Sequence, residues 1–124
     1  MRRCSAKEIA WLPFADGSFD AVLCCRLLHH LRTQAELEAV LTELVRVSSG
    51  IVAASFWDAA SLAAWRRRLP FTRSPRDRVT HPKARIEAAV HSSGARIVRW
   101  HHSLRYLSQH TWFVAEREPA TAAR

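Results

Sequence analysis

Between Leu12 and Leu31 the chain reads LPFADGSFDAVLCCRLLHHL, and no other stretch limits the possible folds as tightly. Phe14-Ala15-Asp16-Gly17-Ser18 has turn composition: Asp16 can bond its own backbone, and Gly17 can take a positive φ without steric cost. Phe19 to Cys25 is an apolar run bounded by turn signals and too short for a helix. It predicts a strand buried on both faces, as in a parallel sheet. Arg26 to Leu31 then reads as a loop or a single helical turn.

Thr33-Gln34-Ala35-Glu36 matches a capping box, in which a threonine hydroxyl and a glutamate carboxylate each take an orphan backbone N–H. Behind it Leu37, Val40, Leu41, Leu44 and Val45 recur at helical spacing and predict one apolar stripe. Glu43 and Arg46 stand three apart on the more exposed side and can pair. Ser48-Ser49-Gly50 is expected to end the helix, with Gly50 in the left-handed position that closes it. Ile51 to Phe56 predicts a second buried strand. Ala59 to Leu69 predicts a helix ended by Pro70, and Phe71 to Thr80 is irregular and basic. A further helix is expected from Pro82 at its first position to about Ser92, closed by Gly94. Ala95 to Leu104 and Thr111 to Glu116 read as two more strands, and residues 119–124 as a disordered tail. Strands alternating with helices, followed by a terminal strand pair, make an α/β layer fold within one domain of residues 1–118.

Composition narrows the function classes. In 124 residues, 48% apolar and 24% charged composition is that of a globular chain. No apolar run approaches the roughly 18 residues of a membrane span, and MRRCSAKEIAW lacks the apolar core of a signal peptide. Three cysteines, two of them the adjacent Cys24 and Cys25 in an apolar strand, form neither a disulfide framework nor a metal site. They are expected to be buried thiols in a reducing cytoplasm. The net charge of +8 is concentrated between Arg66 and Arg85. Such a segment attracts anions in principle, but a solvated basic surface is the expected reading, with nucleic acid not an expected partner. His29 and His30 have no further donor at ligand spacing, and Trp57, Trp65, Trp100 and Trp112 fall where core or interface residues are expected.

The block from Leu12 to Leu31, followed by a helix carrying Glu43-Leu44-Val45-Arg46-Val47, resembles the class I S-adenosylmethionine-dependent methyltransferases of the type 11 small-molecule group. The resemblance spans about Glu8 to Phe56 by motif and the rest by element order. It implies a partial Rossmann-like sheet, this chain supplying strands four to seven of the family's seven, with the last antiparallel. By the same resemblance Glu8 is the acid that meets the adenine of S-adenosylmethionine, with Ile9 beside the ring. Cys24, Cys25 and Arg26 then line the methionine portion, and His29 and His30 lie on the substrate side. The implied acceptor is a small or lipid-like molecule.

What the family uses ahead of this block has no counterpart here. The three glycines, Gly17, Gly50 and Gly94, form no glycine-rich loop, and eleven residues precede the turn. The expectation is therefore a domain lacking its cofactor-binding front, with weak cofactor binding and doubtful activity alone. It would also leave Phe19 to Cys25 as an exposed sheet edge, prone to pair with another copy or a partner. The alternatives are a non-catalytic interaction module and a basic nucleic-acid-associated protein.

Overall fold

The computed structural model describes residues 11–57, 80–102 and 110–119. Among these residues four strands form one sheet: β1 (Phe19–Cys24), β2 (Ser48–Trp57), β3 (Ala95–His102) and β4 (His110–Arg117), in spatial order β1-β2-β4-β3. β1 and β2 are parallel, while β4 runs antiparallel to both β2 and β3. This is the side-by-side arrangement implied for strands four to seven. Two helices, α1 (Gln34–Val47) and α2 (Lys83–Ser92), supply the second layer. The helix expected at Ala59 to Leu69, the basic residues Arg66 to Arg78, and Glu8, Ile9 and Trp65 lie outside the described residues, as do residues 120–124.

The register sorts the side chains onto two faces. Val22, Cys24, Val52, Ala54, Phe56, Phe113 and Ala115 share the face that meets α1 and α2, together with Leu37, Val40, Leu41, Ile86 and Val90. In β3 the pairing slips between Ile97 and Arg99, so Val98 is an extra residue and is left exposed. That bulge returns Trp100 to the helix side three residues after Ile97, against Phe56 and Phe113 at 5.9 and 6.1 Å.

α1 forms as its sequence dictates. Thr33 accepts from the Glu36 N–H, the Glu36 carboxylate accepts from the Thr33 N–H, and the predicted stripe is buried. Its end differs from expectation. α1 runs to Val47 and passes directly into β2 at Ser48, and Gly50 lies within the strand without a positive φ. Gly50 sits where β2 carries an extra residue against β1, and a Cβ there would stand 2.8 Å from the Asp20 carbonyl oxygen. Glycine is needed for a close backbone approach, which helix-ending logic does not reveal. Gly50→Ala is accordingly expected to cost about 1–3 kcal/mol, read by urea denaturation. Pro82 is likewise the residue before α2 rather than its first member.

β1 also departs from the doubly buried strand of the sequence reading. Among the described strands it lies at the end of the sheet, Phe19 and Leu23 are 41% and 71% exposed, and no described helix covers the Ala21–Leu23 face. Cys25 lies beyond the strand and is exposed, so only Cys24 is the buried thiol expected of both.

The separate pieces of the sequence block are physically joined. Arg46 donates to the carbonyls of Leu12 and Phe14, to Asp16 and to both oxygens of Glu43, at 2.7 to 2.9 Å. Glu43 in turn accepts from the Leu12 N–H at 2.7 Å. The Gly17 N–H, at φ 64°, donates to the Arg46 carbonyl. The hydrogen bond from Arg46, then that from Leu12, holds the Glu43 carboxyl below its ordinary pKa despite its partial burial. The pair predicted as a surface bridge thus fastens the entry turn to α1.

Candidate functional site at the carboxyl end of β1 and β2

The parallel strands β1 and β2 end side by side, and every described candidate from the sequence lies at that end. Gly17 and Gly50 lie at the opposite end, near Ser49 and Asp20. The β1–β2 ladder stops at the pair Cys24 and Ala54. Cys24 turns its side chain into the core, and burial first, then the neighbouring Cys25, pushes its thiol up to about 12. It is a neutral packing group at physiological pH. Cys25 and Arg26 are exposed.

Arg26 has φ 59°, a left-handed conformation that disfavours a residue with a Cβ by roughly 1–2 kcal/mol. Its N–H donates to the buried Ser55 hydroxyl at 2.9 Å. The chain then forms a 3-10 turn at Leu28–His30, anchored by the fully buried Leu28 and Leu31. This turn separates the two adjacent histidines. His29 is buried and stacks on Trp57 at 4.6 Å with 15° between the rings, whereas His30 is exposed. His110 meets the other side of the cluster edge-on, 5.8 Å from Trp57.

Sequence reasoning missed His81, which falls between the irregular stretch ending at Thr80 and the helix expected from Pro82. It is fully buried, its N–H donates to the Trp57 carbonyl at 2.7 Å, and its Nε2 bonds the Leu28 carbonyl at 2.9 Å. Because that carbonyl can only accept, Nε2 carries the proton. His81 therefore ties the end of β2 to the turn that holds His29 and His30. Burial lowers its pKa below the ordinary 6.5, with nearby Arg85 acting in the same direction against the Leu28 carbonyl. A base whose folded pKa is depressed favours folding in its neutral form. Its contribution is complete above about 6.5 and declines as pH falls below that value toward the folded pKa. Thermal unfolding across this acid range should show that decline, and His81→Gln should flatten it.

The two members of the basic segment that are described are engaged internally. Lys83 meets His102 Nε2 at 2.9 Å and lies over Trp100, and Arg85 donates to Gln34 and to the Arg32 carbonyl. Among the described residues, no group of three His, Cys, Asp or Glu is arranged to hold a metal, and no helix is long and apolar enough to cross a membrane. A shallow groove lined by Glu87, His91, Arg96 and Ile97 lies at the start of β3, the opposite end of the sheet.

Comparison with known proteins finds a family match that includes β1, the 3-10 turn and the first part of β2. Residues 2–53 match the family model described as "Methyltransferase domain". The matched segment resembles a methyltransferase domain. No curated protein matches. Among solved structures, magnesium protoporphyrin IX methyltransferase from Synechocystis PCC 6803, with bound SAH, is 21% identical. It superposes over 89% of this chain and 48% of its own, with a TM-score of 0.68. An S-adenosylmethionine-dependent methyltransferase from Clostridium acetobutylicum is 9% identical, with coverage of 90% and 63% and a TM-score of 0.70. The (4+2)-cyclase SpnF is 14% identical, with coverage of 89% and 54% and a TM-score of 0.64. The chain thus spans about half the length of the first of these structures. At such identities the likeness establishes the methyltransferase fold, and the cyclase among these neighbours shows that the fold alone does not fix the reaction.

Proposed function

We propose that this chain is the acceptor-side part of an S-adenosylmethionine-dependent methyltransferase for a small-molecule or lipid-like acceptor. The observation that carries the reading is the gathering of Cys25, Arg26 and His30, all exposed, at the carboxyl end of adjacent parallel strands. Open α/β sheets bind their ligands at that end. Cys25, Arg26 and His30 all fall within residues 2–53, the part that matches the methyltransferase domain model.

The residues present fit one side of the cofactor. Cys24 stays uncharged and closes the floor, while the exposed residues Cys25 and Arg26 are available to the methionine portion. Glu8 and Ile9 remain the proposed adenine contacts, and His30 rather than the stacked His29 is the proposed substrate-side residue. When bound, the cofactor supplies an already activated methyl group, so the protein's part is chiefly alignment of the acceptor. Free thiols at Cys24 and Cys25 suit the reducing cytoplasm we assign to it.

Calorimetric titration with S-adenosylhomocysteine tests this. One-sided contact predicts a dissociation constant on the order of millimolar, about 4 kcal/mol. Low-micromolar binding by the 124 residues would contradict the one-sided contact proposed here. Absence of saturable binding would remove the cofactor from the reading. A second reading, association through the edge strand β1, is favoured by the exposure of Phe19 and Leu23.

A further inference from the structure

We infer that Ser55 is a positioning residue for the ligand-facing turn at the end of β1, an inference that rests on the cofactor reading of that turn. Among the described residues, Arg26 is the one non-glycine residue with a positive φ. Arginine has no short polar side chain with which to stabilise that conformation locally, as asparagine or aspartate would. Something else must hold it, and the bond from its N–H to Ser55 Oγ at 2.9 Å does so.

The register explains why a hydroxyl is required. Cys24 and Ala54 are the last paired residues of β1 and β2, and Ser55 is the next residue on β2. Once Arg26 turns left-handed, its N–H leaves the parallel ladder and needs a side-chain acceptor. Ser55 is the single polar residue in the run from Ile51 to Trp57 and is 2% exposed. A hydroxyl buried so deeply is unfavourable unless bonded, so its presence in an otherwise apolar strand is accounted for by the Arg26 amide. The bond ends the ladder after Cys24 and leaves Cys25 and Arg26 facing outward. Ser55 itself is buried and acts through this turn.

The test compares the parent with Ser55→Ala and Ser55→Thr. Ser55→Ala keeps the strand packed and removes the acceptor, while Ser55→Thr retains a hydroxyl. Two quantities are read well below the melting temperature of every variant: hydrogen exchange at the Arg26 amide, and affinity for S-adenosylhomocysteine. In Ser55→Ala, exchange at Arg26 should accelerate about tenfold and affinity should fall roughly 3- to 10-fold, as for one lost hydrogen bond. Ser55→Thr should recover both. A purely structural role would lower the melting temperature and leave the affinity of the folded chain unchanged. Unchanged Arg26 exchange in Ser55→Ala, or parental affinity despite faster exchange, overturns the inference. Failure of the parent to bind S-adenosylhomocysteine is a separate outcome: it overturns the cofactor reading, and the positioning claim with it.

Discussion

Leu23→Lys should leave the chain folded and shift it toward the monomer, whereas Cys24→Lys, one residue along, should prevent folding. The two positions are both apolar in sequence and differ in which way they face. Leu23 is 71% exposed on the side of β1 that no described helix covers, and Cys24 is 7% exposed against the core. β1 has neither lysine nor proline, and Phe19 adds exposed apolar surface, so this edge invites pairing with another strand. A lysine at Leu23 places a solvated charge on the edge at little cost to the fold. A lysine at Cys24 would bury an unpaired ammonium at several kcal/mol, comparable with the roughly 5–15 kcal/mol that holds a domain together. From sequence alone, lysines at Val22 and Cys24 would be the natural solubilising choice. The structure corrects this, since both face the helices. Light scattering gives the association state and circular dichroism the fold. Equal folding of the two variants would show that the assigned faces of β1 are wrong.

Phe56→Ala should destabilise the chain by about 3–5 kcal/mol, because it empties a fully buried position in the core between the sheet and the helices. Phe56 is fully buried near the carboxyl end of β2, with Trp100 and Phe113 within about 6 Å of its ring. Phe56→Leu fills most of the same space and should retain most of the stability. Urea denaturation with an unchanged m-value would assign the loss to packing rather than to a changed unfolded state. A loss below about 1 kcal/mol would mean that Phe56 is not central to the core.

Much of the fold was legible because local signals agreed with it. Thr33 and Glu36 announced the start of α1, and the spacing of Leu37, Val40, Leu41, Leu44 and Val45 gave its buried face. The strands showed as short apolar runs between turn residues. What stayed hidden depended on partners distant in sequence. Gly50 looked like a helix terminator, but its requirement is the carbonyl of Asp20, thirty residues away. An all-apolar segment such as Ala21 to Cys25 has no alternation, so nothing in it distinguishes exposed Leu23 from buried Cys24.

The candidate site was legible in its position and not in its supports. The motif pointed to Cys24, Cys25, Arg26, His29 and His30, yet gave no reason to treat the two histidines differently. The 3-10 turn does so, by placing one against Trp57 and the other in solvent. His81 and Ser55 carry no local motif. Each matters through a side-chain hydrogen bond, with the Leu28 carbonyl and with the Arg26 N–H, that only the folded chain creates.

The most direct measurement is a map of backbone amide shifts during titration of the isotope-labelled chain with S-adenosylhomocysteine. Binding at the carboxyl end of β1 and β2 predicts that Cys25, Arg26 and His30 move together and saturate on the order of millimolar. The amides lining the groove of Glu87, His91 and Arg96 at the far end of the sheet should stay still. Shifts centred on that groove, or none at Cys25 and Arg26 while binding is detected, would contradict the proposed site.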